Sequence, residues 1–167
     1  MILAVAFLAL DEVKDLIDKL RATADISQRH QLEYQIGKAA KPAHIPVLLK
    51  EVDTGPQEFR PYFIRALRAL GGRDATSALK SILTRYDWGA RAEVAYALKI
   101  LGDETGMKYL VAEFPKPSMK REDRARVIQY LFSYYYDAKE VPPVLRKVLD
   151  AETDEELRRR LIDALVS

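Results

Sequence analysis

The chain has 167 residues, a length that fits one domain, 1–167, and allows a buried core. Apolar residues make up 49% and charged residues 31%, and 27 basic against 25 acidic side chains leave a net charge of +2, too close to balance to mark a nucleic-acid binder without clustering. The absence of cysteine removes disulfide scaffolds, thiol nucleophiles, iron–sulfur clusters and thiolate zinc sites together.

The first ten residues, MILAVAFLAL, are uniformly apolar. No Lys or Arg precedes them, and the run is too short to span a bilayer. Residues 1–24 are therefore read as N-terminal capping helices of a cytoplasmic protein. The alternative, a remnant of an export signal at 1–10, would place the protein outside the cytoplasm.

Repetition then takes over. RALRALGGRDATSALKSIL, from Arg65, and AYALKILGDETGMKYLVAEF, from Ala95, carry the same phrase, with Gly71 and Gly102 31 residues apart. The same register superposes Leu67 on Leu98, Leu70 on Leu101 and Leu79 on Leu110. A weaker copy, YQIGKAAKPAHIPVLLKEV, precedes them, and a looser one, VIQYLFSYYYDAKEVPPVLRKVLD, follows. The closing DEELRRRLIDALVS reads as the first helix of one more unit. About four and a half units of this length make a solenoid, in which each unit buries its apolar face only against its neighbours.

Each unit divides into two helices. Phe63, Ile64, Leu67 and Leu70 fall at helical spacing, as do Ala75, Ala78, Leu79, Ile82 and Leu83 after the joint. Val94, Ala97, Leu98 and Leu101, then Met107, Leu110, Val111 and Phe114, repeat the pattern. Alternating runs are absent, so little or no sheet is expected. Gly71 and Gly102 stand where helices stop in a left-handed conformation. Asp74, Asp87 and Asp103 are expected as N-caps, and Thr54–Gln57, Asp137–Glu140 and Thr153–Glu156 have capping-box spacing.

The run Arg-x-x-x-Ala-x-x-Leu, here Arg91, Ala95 and Leu98, with Gly102 and Asp103 one turn later, resembles HEAT-like repeats, in particular the short variety named after phycobilisome lyases. Arg60 through Leu83 and Arg91 through Phe114 carry the resemblance best. It implies an all-α, right-handed α-solenoid of antiparallel helix pairs, about four and a half repeats. It also implies a concave binding face lined by the second helices, near 44–52, 74–85, 104–114 and 139–149.

Catalytic chemistry finds little footing. The two histidines, His30 and His44, lie in no His-Glu pair, and HEAT-repeat proteins that hold iron carry several. No metal ligand set, cofactor site or catalytic residue is therefore expected. No nucleophile elbow or glycine-rich phosphate loop accompanies any serine. Lys50, Lys80 and Arg146 each follow an aligned leucine and suggest a basic row, which Val111 interrupts. Trp88, the sole tryptophan, lies between Arg85 and Arg91 and is either a packing residue at an inter-repeat turn or a stacking platform. The densest aromatic run is QYLFSYYYDAK, where Tyr134, Tyr135 and Tyr136 are adjacent. A helix turns by about 100° per residue, so the three cannot all be buried, and at least one ring is expected at solvent or a partner.

The reading is a non-enzymatic scaffold or adaptor that binds another protein through a rigid helical surface. The candidate contacts are Lys50, Lys80, Arg85, Trp88, Arg91, Tyr134, Tyr135, Tyr136 and Arg146. The alternative is a HEAT-repeat enzyme or enzyme accessory, chromophore-lyase-like or nucleic-acid-processing. Mixed-sign runs such as KREDRAR argue against nucleic acid. No membrane span is expected, and the apolar end faces are candidates for self-association.

Overall fold

The computed structural model describes residues 2–114, 116, 119–135 and 138–166, with residues 2–11 described by backbone alone. Among them there are ten α-helices, two short 3₁₀ turns and no strand. The helices are α1 (Ile2–Ala22), α2 (Ile26–Ala39), α3 (Ile45–Thr54), α4 (Arg60–Leu70), α5 (Gly72–Ile82), α6 (Trp88–Ile100), α7 (Thr105–Glu113), α8 (Arg121–Tyr135), α9 (Val141–Ala151) and α10 (Glu155–Val166). This is the α-solenoid of helix pairs: α2 with α3, α4 with α5, α6 with α7 and α8 with α9, then α10 as the first helix of a further unit. The segment 1–24 holds one helix, α1. Two compact units divide the chain, Met1–Ser81 and Ile82–Ser167.

In the first unit, α1 buries Val13, Ile17 and Leu20, spaced four and three residues apart on one face, while Glu12, Lys14, Asp15, Asp18 and Lys19 stay exposed. That face packs on α2, which packs in turn on α4, and α3 joins α4 from its own side. Ile36, Leu48, Phe63, Ile64 and Leu67 are fully buried at the centre, each worth about 2 kcal/mol in area removed from water. Arg21 pairs with the buried Glu51 and ties α1 to α3. The Arg65 Nε donates to Glu33 Oε1 at 2.8 Å and ties α4 to α2.

In the second unit α6 is the hub, packed on α7 and on α8. It presents Ala90, Ala92, Val94, Ala95, Ala97 and Leu98 as buried residues, and small side chains let both neighbours approach. The closest approach is at Gly106 of α7, where an added Cβ would overlap Cα and the carbonyl oxygen of Ala95. Gly102 (φ +76°) stops α6 as expected: its N–H returns to Lys99 O, and the Asp103 N–H returns to Leu98 O at 2.9 Å.

A second periodicity underlies the leucine seam. Arg29, Arg60, Arg91, Arg124 and Arg158 recur at spacings of 31, 31, 33 and 34 residues, each near the start of a first helix. Each guanidinium reaches back to a carbonyl of the preceding segment: Arg29 to Thr23 (2.8 Å), Arg60 to Val52 (3.2 Å), Arg91 to Tyr86 (2.5 Å), Arg124 to Met119 (3.5 Å) and Arg158 to Leu149 (2.8 Å). Carbonyls in a joint or in the last turn of a helix have no full set of partners within a helix, and one charged donor per repeat supplies them. Seven residues after each arginine comes the seam residue: Ile36, Leu67, Leu98 and Leu131 are fully buried, and Leu165 is half-buried.

Some helix starts differ from expectation. Asp87 caps α6, accepting from the Gly89 and Ala90 amides, and Asp103 accepts from the Thr105 amide at 2.9 Å. Asp74 instead lies inside the first turn of α5, which begins at Gly72, and there it complements the helix dipole. Thr54 ends α3 rather than starting the next element, its hydroxyl donating back to Lys50 O. At the last joint Asp154, not Thr153, caps α10 by accepting from the Leu157 amide. The Asp137 box lies outside the described residues.

Candidate functional site

Two aromatic clusters flank α6, and both belong to the second unit. The first lies at its start. Trp88 is the first residue of α6 and Arg91 lies one turn on, so both side chains share a face. Tyr109 of α7 comes up beside them. The Trp88 and Tyr109 rings stack at 6.0 Å between centroids and 25° between planes. The Arg91 guanidinium lies 4.9 Å from the centroid of the Trp88 ring. Its Nη1 donates to the Tyr109 hydroxyl at 2.8 Å, and its Nε is the ladder contact to Tyr86 O. The three side chains are half-buried, each retaining surface toward solvent. Burial raises the Tyr109 phenol above its ordinary value, with the nearby Arg91 charge opposing the rise.

The second cluster joins the far face of α6 to α8. Tyr96 and Tyr134 stack at 4.0 Å and 30°, and Tyr130 tilts against Tyr134 at 5.3 Å and 56°. The Tyr130 hydroxyl donates to the buried Glu93 at 3.0 Å. All three rings are half-buried.

Tyr135 departs from its expected place at a contact surface. It is 4% exposed, and its hydroxyl donates to Ala95 O at 2.6 Å. The reason is helix phase: Tyr135 follows the buried Leu131 by four residues and shares its face, whereas Tyr134 follows Tyr130 and shares the outer one. Burial pushes the Tyr135 phenol well up, and the Lys99 ammonium sits 4.9 Å over the ring. Tyr136 lies outside the described residues.

The remaining candidates are placed singly. Lys50 on α3 and Lys80 on α5 are exposed in the first unit; Arg85, before α6, and Arg146 on α9 are exposed in the second. Trp88 and Arg91 are thus brought together, and Tyr134 joins a separate cluster. Sequence reasoning missed Tyr109, Tyr96 and Glu93, which reach these clusters from other helices or turns. It also missed the arginine ladder, whose signal was present as a residue spacing.

His44 is buried at the start of α3 and accepts the Lys41 amide at Nδ1, 2.8 Å away. Among the described residues no cluster of three or more His, Asp or Glu side chains is placed to hold a metal ion, and no helix is long and apolar enough to cross a membrane.

A family model for HEAT repeats matches residues 45–131, more than half of the chain. It covers α3 through most of α8, and so includes both aromatic clusters up to Leu131. The match is to HEAT repeats in general and does not single out the phycobilisome-lyase variety. No curated protein and no solved structure matches the chain.

Proposed function

The chain belongs to the HEAT-repeat family, whose repeats commonly mediate protein interactions, and from that premise we propose that it is a non-enzymatic protein-binding module. The contact is centred on α6 of the second unit. The observation that carries this reading is the stack of Trp88, Arg91 and Tyr109. These are the residue types that dominate binding energy at protein interfaces, because they offer large, stiff, amphipathic area at small entropic cost. Here their order precedes binding: Arg91 is held by a carbonyl, a hydroxyl and an indole ring at once. The stack is also particular to one repeat. The positions equivalent to Trp88 are Ile26, Gln57, Arg121 and Glu155, so the aromatic pair is not part of what makes a repeat fold.

Tyr96, Tyr130 and Tyr134 form a second contact area of the same kind, which narrows the tyrosine hypothesis to the outer rings. Lys50, Lys80, Arg85 and Arg146 are exposed charges that belong to neither aromatic cluster.

Capture on the immobilised chain tests the reading, with Trp88→Ala and Tyr134→Ser run in parallel and the fold of each checked by circular dichroism. A specific partner protein should be recovered by the wild type and its affinity cut by about 2 kcal/mol, roughly thirtyfold, in Trp88→Ala. Recovery unchanged in both variants removes the proposal. Tight, steeply salt-dependent binding of an oligonucleotide instead would favour a nucleic-acid-processing role.

A further inference from the structure

The rungs of the arginine ladder differ in how their charge is met. Arg29 has the Glu58 carboxylate at 3.9 Å, and Arg124 has Glu152 at 2.6 Å. In both cases the acid comes from the joint that follows the pair. The joint following α7 reads PKPSMK and contains no acid, only Lys116 and Lys120. Accordingly, Arg91 makes no ion pair among the described residues. Among the described residues its contacts are Tyr86 O, the Tyr109 hydroxyl and the Trp88 ring, and none of them meets its Nη2 amino group.

A half-buried guanidinium without an ion pair among the described residues lacks the partner that guanidinium geometry favours most, a carboxylate. The acids of the neighbouring segments are engaged elsewhere. Arg85 is exposed nearby in the sequence, and Lys116 is exposed beside Glu113, with which it pairs at 2.5 Å. Glu93, the nearest acid in the sequence, accepts from the Tyr130 hydroxyl, and Asp87 accepts from the Gly89 and Ala90 amides of α6.

We infer that Arg91 receives a carboxylate from an acidic segment of the partner, with an adjacent apolar side chain of that segment lying on the Trp88–Tyr109 stack. This rests on the protein-binding reading and names the chemistry the partner must bring: Asp or Glu next to an aromatic or aliphatic residue. The partner then supplies in trans what Glu152 supplies in cis to Arg124.

Trp88 is the sole tryptophan, so indole fluorescence reports this site alone. The probes are an acetylated, amidated hexapeptide Gly-Phe-Glu-Phe-Glu-Gly, its glutamine counterpart, and a single-stranded oligonucleotide, each titrated against the whole chain. The glutamate peptide should bind at least tenfold more tightly than the glutamine peptide, with the difference shrinking as salt is raised. Arg91→Gln should abolish that difference, and Arg29→Gln, which removes a rung of the same structural role, should preserve it. Equal affinity for the two peptides, or no response to either, overturns the inference, as does tighter binding of the oligonucleotide. Equal affinity leaves peptide binding by the stack intact. Should the peptides give no response while capture still depends on Trp88, the carboxylate alone is removed; loss of both removes the protein-binding reading as well.

Discussion

Arg124 and Arg91 hold the same position in successive repeats of the second unit and end in opposite surroundings. Both reach a backbone carbonyl of the preceding joint, and both sit seven residues before a fully buried leucine. Arg124 is then closed by Glu152, itself buried and accepting the amides of Thr153 and Asp154. Arg91 is closed by a phenol and an indole that keep one side in water. The comparison separates two duties of one residue: reaching back satisfies the fold, and what meets the charge afterwards decides whether the rung is sealed or receptive.

The two rungs should be indistinguishable in the core. Leu98→Ala and Leu131→Ala each delete a fully buried side chain and should cost about 4 kcal/mol in chemical denaturation. A difference of more than about half between them would mean that the seam is not shared.

They should part at the charge. Glu152→Ala strands the Arg124 guanidinium and should cost about 3 kcal/mol, while Tyr109→Ala, which leaves Arg91 near solvent, should cost less. Burial acts to raise the Glu152 carboxyl, but the Asp154 and Thr153 amides and the Arg124 guanidinium outweigh it, so the group titrates below its ordinary range. A depressed folded-state value contributes stability that is complete above the ordinary Glu value of about 4.3 and is lost as pH falls through the folded value. Thermal midpoints should therefore drop more steeply below about pH 4 in the wild type than in Glu152→Gln.

A smaller effect is expected at Tyr135. Tyr135→Phe keeps the ring in the core and removes one hydrogen bond to Ala95 O, costing about 1 kcal/mol. Tyr134→Phe should leave stability unchanged, and equal losses at the two positions would contradict the assignment of inner and outer faces. The smallest effect belongs to Arg121, whose pair with Asp154 at 2.6 Å lies at the surface. Arg121→Ala should leave the melting temperature unaltered at physiological salt.

Much of this was legible in the residues. Leu67, Leu98, Gly71 and Gly102 announced helix pairs because a helix repeats its buried face every 3.6 residues and a solenoid repeats its units at constant length. The crowding of Tyr134, Tyr135 and Tyr136 announced that the run could not be wholly buried. Helix starts were less legible, since Thr54 and Thr153 carry the right side chain at the wrong place and local hydrogen bonding tolerates a shift of one residue.

The sequence by itself thus determined the repeat, the seam and the stops, all of which follow from local periodicity and backbone preference. Only the tertiary structure decided that Tyr109 meets Trp88, that Tyr135 turns inward to Ala95, and that Arg91 meets a phenol and an indole where Arg124 meets a carboxylate. Those facts depend on how closely one helix approaches another, here through Gly106 against Ala95, and no spacing along a single helix encodes that distance.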